Sequence, residues 1–123
     1  MILSVHHAQI TIPIGEEHIA RAFYCGVLGL TEIAKPEALK GRGGFWLEIN
    51  GFQVHVGTED MANRKNSKAH VAYLVDDLDV WRNKLIENKV EILDGISIPN
   101  YQRFEFRDPF GNRVEFLQQI DNG

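Results

Sequence analysis

The chain is poor in the features that would make its class obvious, and each shortage excludes something. It has a single cysteine, Cys25, so no internal disulfide can form, and the CxxC pairs of zinc ribbons and thiol oxidoreductases are missing. Its apolar runs are far too short to span a bilayer. Lys and Arg number 13 against 17 Asp and Glu, and they are scattered, so no basic stripe marks a nucleic-acid partner. There is no glycine-rich phosphate loop and no GxSxG elbow; GRGG at 41–44 is too short for a nucleotide fingerprint and is expected to mark a bend. MILSVHHAQITIPIGE, at the N-terminus, lacks the basic start and small-residue cleavage site of a signal peptide, which with the lone cysteine leads us to expect a cytoplasmic protein. Apolar residues at 44% and a length of 123 residues suffice for one real core, so we expect one domain over 1–123.

The pattern within that length repeats. Residues 4–12 alternate as a strand. Ile19, Ala22, Phe23, Gly26 and Val27 follow at helical spacing, with Gly29 as the stop. Short strands are then expected near 30–34, 44–50 and 52–57, the last two joined by the two-residue turn Asn50-Gly51. The order starts again with a strand at 69–75. Asp76 and Asp77 open a helix carrying Leu78, Trp81 and Leu85, and Asn88 ends it. Strands are expected near 89–94, 102–107 and 112–118, with Asp108-Pro109-Phe110-Gly111-Asn112 as a turn. Each half therefore reads βαβββ, an α+β arrangement: module one at 3–57, a hydrophilic linker TEDMANRKNSK at 58–68, and module two at 69–119.

Side chains alternate across a strand, so each strand has a helix face and an open face. Val114 and Phe116 belong to the helix face of the last strand, and Glu115 to the open one. The same parity puts His7 with Gln9 and Thr11, His55 with Gln53, and His70 on open faces. His7 matches His70 in the repeat, and His55 matches Glu115. A two-fold relation between the halves would gather all four. Imidazole nitrogens and a carboxylate suit Zn, Ni, Fe, Mn or Co, and four ligands leave positions where a small substrate can be polarised. His6 falls on the other face and His18 on a helix, so neither joins the set. Arg103, Arg107 and Arg113 can each pair with Glu115, while Arg103 and Arg107 can also contact an anionic substrate. Trp46, Phe45, Phe104 and Tyr101 can line a cleft or fill a core. Cys25 beside the helix stripe reads as packing.

The stretches HAQITIP at 7–13, FYCGVLGL at 23–30, FQVHVG at 52–57, HVAYLVDDLD at 70–79 and RDPFGNRVEF at 107–116 give the chain a resemblance to the vicinal oxygen chelate superfamily of glyoxalase I, extradiol dioxygenases, and fosfomycin- and bleomycin-resistance proteins. The resemblance implies paired βαβββ modules whose mixed sheets curl round a metal cleft. It implies that His7, His70 and Glu115 are metal ligands, and His55 stands where glyoxalase I normally has a second glutamate. The implied activity is that of a glyoxalase-like lyase or isomerase working through an enediolate, with Glu115 as ligand and proton shuttle. Alternatives are an extradiol-type Fe(II) dioxygenase, with His55 outside the ligand set, and a metal-free protein that sequesters a small molecule or antibiotic. A fosfomycin-type transferase uses the same three ligands. Related small members commonly form homodimers with sites at the interface, and we expect the same here.

Overall fold

The computed structural model describes residues 1–120 and divides into two compact units, Met1–Ala62 and Asn63–Gly123. Each unit holds one open four-stranded mixed sheet with few helices, an α+β arrangement. The division falls inside the hydrophilic run 58–68. That run is not all linker, because a strand reaches Thr58, and Arg64–Asn66 form a 3-10 turn in which Arg64 is buried.

In the first unit β1 (His7–Ile12) leads to α1 (Glu17–Arg21), and β2 (Thr31–Ile33), β3 (Phe45–Ile49) and β4 (Phe52–Thr58) follow. The order is β1-β4-β3-β2, with β1 parallel to β4 and the other pairs antiparallel. Asn50 and Gly51 both take positive φ, 45° and 88°, which is what a two-residue hairpin matching strand twist requires. The core side of the sheet buries Ile12, Phe45, Leu47, Val54 and Val56 with Ala20, Phe23, Tyr24 and Leu28 of the helical segment. Each such large apolar side chain contributes roughly 1.5–3 kcal/mol through burial.

Two expectations shift here. The first strand begins at His7 rather than 4. The helix stripe also moves: Ile19 is 39% exposed, and of the expected positions only Phe23 is buried. The displacement already holds in α1, where Ala20 is the buried residue, and past it the helix widens over Ala22–Val27, where Leu28 N–H reaches back to Phe23 O at 2.9 Å. A wider turn rotates the apolar face away from the 3.6-residue period.

The second unit repeats the plan with β5 (His70–Leu74), α2 (Leu78–Glu87), β6 (Leu93–Asp94), β7 (Tyr101–Arg107) and β8 (Arg113–Gln119) in the order β5-β8-β7-β6. Asp77 caps α2 by accepting Val80 N–H at 3.2 Å, and Asn88 closes it. Leu78 and Leu85 are buried, and the Trp81 ring meets Phe116 edge-on at 5.2 Å. β6 is only two residues of the expected six. The β7–β8 turn is tied by buried Asp108, whose Oδ1 accepts from Phe110 N and Asn112 N at 2.9 and 2.8 Å. No helix among the described residues is long and apolar enough to cross a membrane.

Candidate metal centre

Register decides which polar side chains meet. In the first unit His7 pairs with Gln53 and Gln9 with His55. In the second His70 pairs with Arg113 and Ala72 with Glu115. In both, one candidate ligand opens the outer strand, and the other sits two residues beyond its partner on the neighbouring parallel strand. The diagonal is the same, so His7 corresponds to His70 and His55 to Glu115 in backbone position as well as in sequence order.

On the first unit's open face three rings stack. His55 lies between Trp46, centroids 3.8 Å apart at 3°, and His7, centroids 4.0 Å apart at 16°. His55 is 5% exposed, and its Nε2 lies 2.8 Å from Gln53 Oε1. The amide oxygen accepts, so Nε2 carries the proton and Nδ1 the lone pair. Burial, and then the neighbouring His7, His6 and Lys35, lower the His55 pKa and keep the imidazole neutral, the form that binds metals. His6 Nδ1 is 3.0 Å from His7 Nδ1, so one of the two carries the shared proton. His6 is exposed and precedes β1, so strand parity does not set its direction.

In the second unit His70 Nδ1–H donates to Lys68 O at 2.9 Å, which leaves the lone pair on Nε2. That nitrogen faces Glu115 Oε1 at 3.2 Å, acceptor against acceptor. Either a proton on Nε2 or a shared cation must lie between them. Glu115 is 6% exposed, and its Oε1 also accepts from Arg103 at 3.1 Å. Arg103 is held in turn by Glu105 at 2.6 Å and Ile96 O at 2.9 Å, and Glu105 also pairs with Arg113. The hydrogen bond from Arg113, partly offset by burial, holds the Glu105 carboxyl below its ordinary range. An orienting backbone carbonyl, a buried carboxylate and neutral imidazoles are the donor set that Zn and other borderline divalent ions take, so the residues fit such an ion. Each unit by itself brings two of the four candidates together; among the described residues no group of three His, Cys, Asp or Glu stands ready to hold a metal.

The remaining candidates separate. Arg103 and Tyr101 line a cleft of about 450 Å³ in the second unit. Arg107 donates to the backbone carbonyls of Ser67 and Gly111, both at 3.1 Å, and so fastens the turn. Phe45 and Phe104 are core residues, 1% and 0% exposed. Cys25 is half-buried with its thiol pushed up by burial, which suits packing. Strand parity puts Gln53 beside His55 but does not give it the orienting role; the Lys68 carbonyl, two residues before His70, and Glu105, across the strands from Glu115, carry no sequence signal for theirs.

With the fold and these two half-sites described, the comparisons agree on a class. The chain belongs to the Glyoxalase/Bleomycin resistance protein/Dioxygenase superfamily, whose profile matches residues 5–116. A crystal structure of a Bacillus anthracis protein assigned to the glyoxalase family shares 39% identity and a TM-score of 0.88, covering 97% of both chains. The metallothiol transferase FosB of Staphylococcus haemolyticus is 30% identical over 123 residues, covering 94% of this chain and 83% of that protein. That of Lysinibacillus sphaericus is 28% identical over 122 residues, covering 94% and 82%.

Proposed function

We propose that this chain is a divalent-metal-dependent enzyme that acts on a small substrate with vicinal oxygens as a glyoxalase-type lyase or isomerase. His7, His70 and Glu115 hold the ion, with His55 as the fourth ligand. The observation that supports this most is the shared diagonal: two matched pairs of metal-competent side chains on equivalent strands, one of them with His70 Nε2 only 3.2 Å from Glu115 Oε1. Each unit offers two donors, so a full set draws on both kinds of unit, from one chain or from two copies in a homodimer.

A bound divalent ion supplies Lewis-acid polarisation of the substrate oxygens. The protein does the rest. The Lys68 carbonyl fixes the tautomer of His70, and Gln53 that of His55. Glu115 is the proton carrier, because a carboxylate can leave a cation more readily than an imidazole can. Arg103, braced by Glu105, keeps that carboxylate aimed. The second reading is thiol transfer to a small electrophile at the same residues. It is favoured by the metallothiol transferases at 28–30% identity over 94% of this chain.

Metal analysis of untagged protein tests the shared core of both readings. About one divalent ion per chain is expected, lost in His7→Ala and in Glu115→Ala. No ion in the parent after incubation with Ni, Zn, Mn and Fe(II) would move the chain to the small-molecule sequestering class. With metal present, turnover of a methylglyoxal–thiol hemithioacetal supports the lyase reading, and consumption of fosfomycin with a thiol supports transfer. Oxygen uptake with an Fe-loaded protein and a catechol would point instead to the dioxygenase branch. Light scattering reads the oligomeric state.

A further inference from the structure

We infer that the cleft of the first unit binds a small oxyanion, a carboxylate or phosphonate, held by Lys35 and Arg42 beside the Trp46–His55–His7 stack. This deepens the reading above by naming a substrate class, since His7 and His55 line the same cleft. Its support is separate, and so is its test.

The cleft encloses about 490 Å³, a volume suited to a small ligand. Its walls include Lys35 and Arg42 and not one Asp or Glu, in a chain whose formal net charge is −4. Other cations of this unit are spent on carboxylates: Arg21 on Glu32 and Lys40 on Glu37. Lys35 is part-buried and donates to the carbonyl of Gly43 at 2.7 Å. One ammonium proton is used to place the group, and among the described residues Lys35 forms no ion pair. Among the described residues Arg42 has no carboxylate partner, and it ends the 3-10 turn Glu37–Arg42.

The loop that carries these cations is built to lie there. Gly43 and Gly44 take φ of 76° and 79°, and a Cβ on Gly44 would come within 2.0 Å of Val56 O. Only glycine lets the backbone press against β4 at that point, which brings the Gly43 carbonyl to Lys35 and Arg42 to the cleft wall. The GRGG stretch thus acquires a use beyond a bend. Glu17 approaches Gly43 but is not among the cleft walls. A guanidinium can grip an oxyanion through two parallel hydrogen bonds, while an ammonium acts as a point charge beside it.

Calorimetric titration with methylphosphonate and with lactate, on metal-free and Zn-loaded protein at low salt, tests this. Saturable binding of either probe is expected in both forms, and the tighter one names the head group. Lys35→Gln and Arg42→Gln should each weaken it by about tenfold, and Arg82→Gln in the second unit should leave it unchanged. Arg42 is exposed, so its variant keeps the fold and carries the test should Lys35→Gln not fold. Loss of anion binding with metal content intact supports the cleft even if the proposed reaction is wrong. No saturable binding in the parent overturns the inference. So does binding seen only with Zn and indifferent to both cleft substitutions, which would put the anion on the ion.

Discussion

Around His55 the first unit arranges stacked rings, whereas around Glu115 the second unit arranges two arginines and a second carboxylate. The backbone positions are equivalent: Trp46 stands across from His55 on the neighbouring strand, and Glu105 stands across from Glu115. One framework therefore carries a stacked aromatic site and an ionic one. The difference shows where the fold is constrained. The helix face must be apolar in both units, with Phe45 and Phe104 at matching core positions. The open face answers only to its own chemistry, so it has diverged. Burial, and then His7, His6 and Lys35, keep the His55 imidazole neutral, while the hydrogen bond from Arg113 keeps the Glu105 carboxyl charged.

That contrast can be broken at its strongest point by comparing Glu115→Ala with His55→Ala. Removing Glu115 should abolish metal binding and leave Arg103 short of a partner, lowering stability by about 3 kcal/mol in urea denaturation. Removing His55 should weaken metal binding and lower stability by about 1–2 kcal/mol, because packing between Trp46 and His7 and the hydrogen bond to Gln53 are lost. Equal losses would mean that the ionic frame contributes nothing special.

Gly44→Ala tests whether the first unit depends on its loop as the second depends on its charges. A Cβ 2.0 Å from a carbonyl oxygen, on a residue with φ of 79°, should cost about 2–3 kcal/mol in thermal or urea unfolding. It should also weaken methylphosphonate binding, with metal content unchanged.

Acid sharpens the comparison further. Glu105 has its folded pKa lowered, first by its hydrogen bond from Arg113, so its contribution is present above the ordinary carboxylate range near 4.5 and is lost as pH falls through the folded value. Glu105→Gln should therefore lower stability at neutral pH by about 1–2 kcal/mol and converge with the parent in strong acid. Trp46→Phe, its counterpart, should show a loss that does not change with pH over that range.

The smallest effect lies at the alkaline end of the second unit. Tyr73 has its pKa pushed up to about 12 by burial, with Asp108 adding to the shift. The folded state holds that proton longer than the unfolded chain does, so stability is complete below pH 10 and declines as pH rises toward 12. Tyr73→Phe should remove that decline and change little at pH 7. Ultraviolet titration of the parent should show an ionisation near pH 12 that is absent in Tyr73→Phe.

Much of this architecture was readable from residue order. Asn50-Gly51, the Asp108–Asn112 turn, the Asp77 cap and the alternation in RDPFGNRVEF are local signals, and local backbone chemistry enforces them. The misread elements had no such local rule. The first helical segment buries Ala20 and Tyr24 instead of Ile19 and Ala22, a face one residue on from the expected stripe, and it widens at Ala22–Val27. The strand expected over 89–94 pairs only at Leu93 and Asp94. Among site residues, strand parity alone put His7, His55, His70 and Glu115 on open faces. It could not assign Arg103 to Glu115 and Arg107 to the turn carbonyls, because both arginines share one strand face and one chemistry.

The order of residues was enough to fix the double βαβββ pattern, the face on which each candidate ligand lies, and the pairing of His7 with His70 and of His55 with Glu115. Those properties follow from periods of two and 3.6 residues, which a chain carries along its length. Which arginine braces the carboxylate, which one ties the turn to Ser67, and that Gly44 lies against Val56 were settled by cross-strand register and loop packing. These join residues up to some forty positions apart, as Arg107 is from Ser67 and Leu78 from Gln118, and no local pattern encodes contacts at that separation.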